Sequence, residues 1–414
     1  MKRVFIYLTL SIVMSNFAKS ESYAIFNDPQ GSKSKQKAII NHIIKLINKV
    51  PENGSISVGL YSFDDKGVAK ALVRASDRGV KVQLALDRYG EHYKTYKKRI
   101  DKGNYNNKIV VNMLKDKIDK LTICKDKKSK TIQSCISKKK NSIQHQKYFL
   151  FSTTKNPFTH KKMDNVVLVT SSNMTGTAQF NQWNDAFVSY GDKSGWYSPW
   201  LEHFRHQLNQ QQNKSYYNPK KHTGYISSVQ TGYKAYFSPS SNKDIFESIL
   251  KKAKGESTKE CSLLVNQAYF TNYRRKVVNQ LTRIKKRGCT VKVLVSKVAI
   301  FGKKIKKRLD KAGIEYHYML NKKKYTHHKF ILYEGDYDGK KGQKIVWLGS
   351  HNLTDNANRM NDEVVVKVPE EHIFYAYKRH FNECWKKFEK KAISNKNTIY
   401  GKKYVKNHLL FKSR

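Results

Sequence analysis

His145-Gln146-Lys147 and His327-His328-Lys329 are the residues of this chain best placed to do chemistry. In each triplet the outer two side chains share one face of an extended strand, because side chains alternate with a period of two. An imidazole can then attack phosphorus or pass a proton while the ammonium beside it holds a phosphate oxygen. One such triplet means little in a chain with 14 His and 81 Lys plus Arg. Two copies with matching tails are a specific signal. Ser172-Asn173 follows the first, Ser350-His351-Asn352 the second. Eleven residues beyond Asn352 stands Glu363, and at the same distance beyond Asn173 stands Asn184, with Asp185 next to it. Two histidines, two lysines and two asparagines supply a nucleophile, a proton donor and groups for the non-bridging oxygens, which is what cleaving a phosphodiester without a metal requires. His328 faces the other side of its strand and reads as a satisfied core or surface histidine.

The pattern closely resembles the phospholipase D superfamily, whose signature is H-x-K-x4-D followed by G-S-x-N and a later acidic residue. The likeness spans nearly the whole chain. The opening Ala24-Ile25-Phe26-Asn27-Asp28-Pro29 and the stretches 54–63 and 78–87 are similar to the secreted bacterial branch of that superfamily. The resemblance implies a metal-independent phosphodiesterase with a covalent phosphohistidine intermediate. His145 is then the nucleophile and His327 the acid and base, although a pseudo-two-fold site also permits the reverse. Lys147, Lys329, Asn173 and Asn352 would hold the phosphoryl oxygens, with hydroxyl contacts from Ser172 and Ser350. Glu363 is expected to bind the second ring nitrogen of one motif histidine, with Asp185 its counterpart in the first half. Two positions depart from the signature. The acidic residue seven past each histidine is Ser152 in one copy and Glu334 in the other, and Thr170-Ser171-Ser172 stands where the family prefers Gly-Ser.

Elements that position these residues repeat with them. After each triplet an apolar stretch, a turn rich in Gly, Asp, Asn and Lys (154–164; 335–344) and a second apolar stretch predict strand, hairpin, strand. Upstream, strand patterns at 56–62 and 262–268, helix patterns at 68–76 and 277–285, and strand patterns at 80–86 and 290–295 also match. Strands alternating with helices predict parallel pairing in an α/β architecture. The expected fold is two pseudo-symmetric halves, each a mixed sheet flanked by helices, with the active site between them. Their expected bounds are 22–208 and 232–392, joined by a polar linker at 209–231 and followed by a basic tail at 393–414. Residues 1–20, with a charged start, an apolar run from 4 to 13 and small residues near Ser20, read as a secretory signal peptide. The protein is therefore expected outside the cytoplasm, extracellular or periplasmic.

The formal charge of +49 marks a polycation and predicts polyanionic partners. Lys-rich runs lie at 125–130, 138–140, 303–307, 322–324 and 402–403. Low-specificity nuclease action is the leading expectation, since neutralising phosphates gives sequence-independent affinity. Anionic phospholipid as the substrate of a phospholipase D, or non-catalytic polyanion binding, are the alternatives. Of five cysteines, Cys124 with Cys135 and Cys261 with Cys289 suit two disulfides in an exported chain, leaving Cys384. No cysteine spacing resembles a zinc site, so neither metal nor cofactor is expected. Both motif copies sit in one chain, which predicts a monomer. The tryptophans at 347 and 385 read as core, whereas the cluster of Trp196, Tyr197 and Trp200 suits either core packing or base stacking.

Overall fold

A computed structural model of the chain describes residues 21–87, 106–124, 134–221, 223–241, 243–255, 261–296 and 301–396. The signal-peptide reading, the Lys run at 125–130 and the tail beyond residue 396 lie outside the described residues.

Each half is built on a mixed sheet. In the first, strands β1 (Glu21–Phe26), β2 (Ser55–Leu60), β3 (Lys81–Leu86), β4 (Lys120–Ile123), β5 (Tyr148–Lys155) and β6 (Lys162–Thr170) are joined, beyond the short β7 (Gln182–Trp183), by β8 (Asp185–Tyr190), in the order β1-β8-β6-β5-β2-β3-β4. The second contains β9 (Tyr225–Ser227), β10 (Lys234–Ser238), β11 (Ala253–Gly255), β12 (Ser262–Gln267), β13 (Thr290–Val295) and β14 (Glu315–Tyr318). After the short β15 (Leu320–Asn321) and β16 (Lys324–Thr326) it is completed by β17 (Lys329–Tyr337), β18 (Lys340–Gly349) and β19 (Glu363–Val368), in the order β14-β13-β12-β17-β18-β19-β10-β9, with β11 alongside β17. Strand for strand, β12, β13, β14, β17, β18, β19 and β10 repeat β2, β3, β4, β5, β6, β8 and β1.

Parallel pairing is confined within the two sheets to β2-β3-β4 and β12-β13-β14, where helices make the crossovers. The motif strands β5-β6 and β17-β18 pair antiparallel because short turns join them, which is what makes both sheets mixed.

β5 and β17 are buried on both faces, so they read as continuous apolar runs. Tyr148 and Leu150 point toward the other half, while Phe149 and Phe151 point to helices Ala38–Asn48 and Lys66–Asp77. Phe330 and Leu332 face inward and Ile331 and Tyr333 outward in the same way. One apolar cluster joins the inner faces of both sheets and includes Trp200 and Phe204 of helix Ser198–Leu208 and Phe374, Tyr377 and Phe381 of helix Glu371–Lys396. Trp183, Trp196, Tyr197, Trp200 and Trp385 all belong to it, and Trp347 is buried in the outer core of the second half. The aromatic cluster left open by the sequence is thus core.

Both expected disulfides form, Cys124–Cys135 and Cys261–Cys289, and Cys384 is free and buried. Among the described residues no helix is long and apolar enough to cross a membrane.

Candidate active site

The two halves hold each other's motif histidines. The His145 backbone N–H donates to Asp362 O (2.9 Å), and the His327 N–H donates to Trp183 O (2.9 Å). Parallel bridges at Gln144–Asp362 and Thr326–Trp183 set the same register on both sides. That register places the next residue of each partner strand against an imidazole. His145 Nδ1–H donates to the Glu363 carboxylate (2.8 Å), and His327 Nδ1–H donates to Asn184 Oδ1 and Ser171 O (both 3.0 Å). All three acceptors fix the tautomer, leaving Nε2 as the free nitrogen of each ring.

Asp185 does not take the place expected for it. It lies one residue past Asn184 on a strand, so its side chain points to the opposite face. His328, one residue past His327, is turned the same way, and its Nδ1–H donates to Asp185 (2.7 Å). Asp185 also accepts from Tyr377 Oη (2.9 Å) and Ser171 Oγ (2.9 Å). The motif histidine's partner in the first half is Asn184, the residue that position counting aligns with Glu363.

Ser172 is displaced by the same logic. Its hydroxyl donates to Asn173 O (2.9 Å), mirroring His351, whose Nδ1 donates to Asn352 O (2.8 Å). Ser171 is the true counterpart of Ser350: Ser350 donates to Glu363 (2.5 Å) and Ser171 to Asp185 and Asn184. Sequence reasoning missed it because two adjacent serines offered two registers, and only the offset from Asn173 separates them.

The asparagines sit on pinned loops. Met174 N donates to Ser62 O and Leu353 N to Tyr269 O, and Thr175 and Thr354 then cap the short helices that follow. Each loop is thereby fixed to the end of β2 or β12. Asn173 Oδ1 and Asn352 Oδ1 are buried without a hydrogen-bond partner among the described residues. Leaving such an atom unsatisfied costs about 1–3 kcal/mol, a cost tolerated where a ligand completes the site.

Lys147 and Lys329 are buried, and each ammonium donates to the carbonyl of its own motif histidine. Burial lowers Lys147 to about 7, and burial with the neighbouring Lys147 charge lowers Lys329 well below the usual lysine range. His145 and His327 are held well below the usual histidine range, first by burial and then by the charges of Lys147 and Lys329. Glu363 is raised by burial. These groups surround a cleft of about 790 Å³ lined by His145, His327, Asn173, Asn352 and Glu363, and because burial disfavours the charged forms of both lysines and both histidines, a bound anion would favour them.

Residues at the signature's acidic position lie away from the cleft. The Ser152 hydroxyl accepts from Ser55 N (2.8 Å), and Glu334 pairs with Lys378 (2.7 Å), so both tie strands to their neighbours. Among the described residues no group of three or more His, Cys, Asp or Glu has metal-binding geometry.

A two-sheet fold with reciprocal His-Lys pairs in one cleft defines a phosphodiester-processing protein of duplicated architecture. The family model for the cardiolipin synthase, phospholipase D-like domain matches residues 43–207 and 247–385, and the chain belongs to that phospholipase D-like family of phosphodiesterases and phosphotransferases. Among solved structures, phosphatidylserine synthase from Haemophilus influenzae Rd KW20 is similar at TM-score 0.56 and 12% identity, over 88% of this chain and 86% of that one. Polyphosphate kinase from Porphyromonas gingivalis is similar at TM-score 0.54 and 10% identity over 88% of this chain, which spans only 50% of the kinase. A phospholipase D family member, Nuc from Salmonella typhimurium, matches 46% of this chain and 96% of its own at 20% identity and TM-score 0.31. These likenesses are of fold. No curated protein matches the sequence.

Two predictions arise here. Asp185→Asn should lower unfolding free energy by about 2–3 kcal/mol, read as a shifted denaturant midpoint, because it weakens charge-assisted bonds to His328 and Tyr377 in a buried cluster. A variant that kept its midpoint and lost only turnover would place Asp185 in the reaction instead. Protonated Lys147 becomes scarcer as pH rises through about 7. The pH profile of kcat/KM should therefore carry an alkaline limb from that region, and Lys147→Arg should move it upward because guanidinium stays charged. An identical limb in wild type and variant would assign it to another group.

Proposed function

We propose that the protein is an exported phosphodiesterase that cleaves nucleic acid with little sequence preference. The observation that carries this is the lining of the cleft. Around the histidines stand Tyr61, Tyr269 and Tyr273 together with Asn, Thr and Gln side chains, and Ile143 is the one aliphatic residue among the described lining. Such a wall suits sugar, phosphate and base better than acyl chains. The surface agrees: Lys138, Lys140, Lys303, Lys304, Lys306, Lys307, Lys322 and Lys323 are exposed, within a chain of net charge +49. Two disulfides favour an oxidising compartment, in keeping with the leader-like residues 1–20. One chain supplies both halves of the site, so a monomer is complete.

In the proposed reaction the bound phosphodiester anion favours uptake of a proton at His327 Nε2; His145 Nε2 then attacks phosphorus as the bond to the leaving oxygen breaks, and the His327 imidazolium gives that oxygen its proton. Water then attacks the phosphohistidine, His327 takes its proton, and the phosphorus–nitrogen bond breaks. Glu363 stabilises the charge on His145 through Nδ1, while Asn184 offers only an amide oxygen to His327. That asymmetry favours His145 as the nucleophile. Lys147, Lys329, Asn173 and Asn352 bind the non-bridging oxygens.

Incubating the purified protein with plasmid DNA, RNA and phosphatidylglycerol vesicles in excess EDTA tests the reading. Nucleic acid should be degraded and vesicles spared, with affinity for DNA falling steeply with salt, at a log–log slope of about −0.9 per phosphate contacted. Phosphatidic acid or phosphatidyl-transfer products beside intact plasmid would make the protein a phospholipid enzyme. Binding without turnover of any substrate would make it a polyanion-binding protein.

A further inference from the structure

We propose that Tyr273 is a stacking platform for an unpaired nucleobase beside the scissile phosphate, so that single-stranded nucleic acid is the preferred substrate; this rests on the nuclease reading above. Tyr273 lines the reaction cleft, yet 80% of its surface is exposed. Among the described residues its ring and hydroxyl have no hydrogen-bonding or ring partner, unlike Tyr61 and Tyr269 in the same cleft. It therefore contributes nothing evident to the fold.

The turn that presents it is nevertheless held on both sides. Arg274, only 2% exposed, donates to Asp244 (2.7 Å) and to Thr354 O (3.2 Å), two residues past Asn352. Thr271 N donates to Leu353 O (3.0 Å), binding the turn to the same asparagine loop. On the other side Asn272 Oδ1 accepts from Lys304 N (2.9 Å), and Gly302 approaches so closely that a Cβ there would lie 2.2 Å from that oxygen. An aromatic side chain carried into solvent by a fixed turn at the mouth of an anion-binding cleft leaves its faces open to a flat apolar partner. The exposed Arg275 beside it adds charge for a flanking phosphate.

Among the described residues the first half has no such platform at the equivalent position. The equivalent bridges Phe63–Met174 and Phe270–Leu353 set Asp64, Asp65 and Lys66 where Thr271, Asn272 and Tyr273 stand. Asp64 accepts from Gly176 N (2.9 Å) and Asp65 caps helix Lys66–Asp77. At this position a base is thus offered a ring on one side of the phosphate only. A paired base keeps its faces inside the duplex stack and cannot use the ring, and a phospholipid head group has no planar aromatic face to offer.

The test measures binding by the full chain carrying His145→Ala, with and without Tyr273→Ala, Tyr273→Phe or Tyr273→Trp. The probes are a single-stranded deoxythymidine oligomer, an abasic oligomer of equal length and charge, and a duplex. Tyr273→Ala should weaken binding of the thymidine oligomer on the order of ten-fold, since stacking contributes about 1–3 kcal/mol per base. It should bring the thymidine-to-abasic affinity ratio toward one, while Phe and Trp preserve the ratio. An unchanged ratio in Tyr273→Ala, or a parent that binds duplex as tightly as single strand, overturns the platform and leaves the nuclease reading standing. A parent that binds neither oligomer but does bind phosphatidylglycerol vesicles overturns the nuclease reading and the platform with it.

Discussion

His145→Ala and His327→Ala should each lower phosphodiester cleavage by about 10³–10⁴-fold or more, and they should fail differently. Without His145 no phosphohistidine forms, so a substrate with an activated leaving group gains nothing. Without His327 the leaving oxygen lacks its proton donor, and p-nitrophenolate, which leaves unprotonated, should restore the first step. His327→Ala mixed with bis(p-nitrophenyl) phosphate should release a burst of p-nitrophenol and accumulate phosphorylated His145, detectable by mass after rapid quenching. His145→Ala should show neither. A burst from His145→Ala with phosphate on His327 would exchange the roles, which the pseudo-two-fold geometry permits. Both variants near the wild-type rate would remove the pair from catalysis. Each ring lies in a polar cleft at the seam of the halves, so both variants should keep the fold and size of the wild type by circular dichroism and gel filtration.

Lys147→Met and Lys329→Met should each cost about 10²–10³-fold in kcat/KM, the scale of removing one group that stabilises developing charge. Methionine keeps the buried volume, so the measurement reports charge and not a cavity. Both lysines are depressed by burial, which means the free protein already carries a strained electrostatic load that an anionic substrate relieves. The variants should accordingly be no less stable than wild type in the absence of ligand, and thermal melts can check this directly. Stabilisation by vanadate or inorganic phosphate, present in the wild type, should shrink in both. Loss of stability without loss of kcat/KM would make the two lysines structural.

Much of the site was legible in the sequence because its logic is local. Alternation on a strand places His145 with Lys147 and His327 with Lys329, and turns His328 away, whatever the rest of the fold does. Offsets within a hairpin bring Asn173 and Asn352 back beside the triplets. The duplicated order of strands and helices defined two α/β halves, and the cysteines paired as spacing and strand neighbourhood indicated. Tertiary structure decided what crosses between the halves. Glu363 binds His145, the histidine of the other half, because the parallel bridge Gln144–Asp362 interlocks the motifs across more than 200 residues of chain. Charge alone favoured Asp185 as the equivalent partner of His327, but the same period of two that turns His328 away turns Asp185 with it, and Asn184 faces the site. The choice between Ser171 and Ser172 was likewise one of register, and a one-residue shift exchanges the faces of a strand. The depression of the lysines, the packing of the tryptophans into a shared core and the exposure of Tyr273 at the cleft mouth depend on what surrounds each side chain in space, and nothing in the neighbouring sequence encodes that.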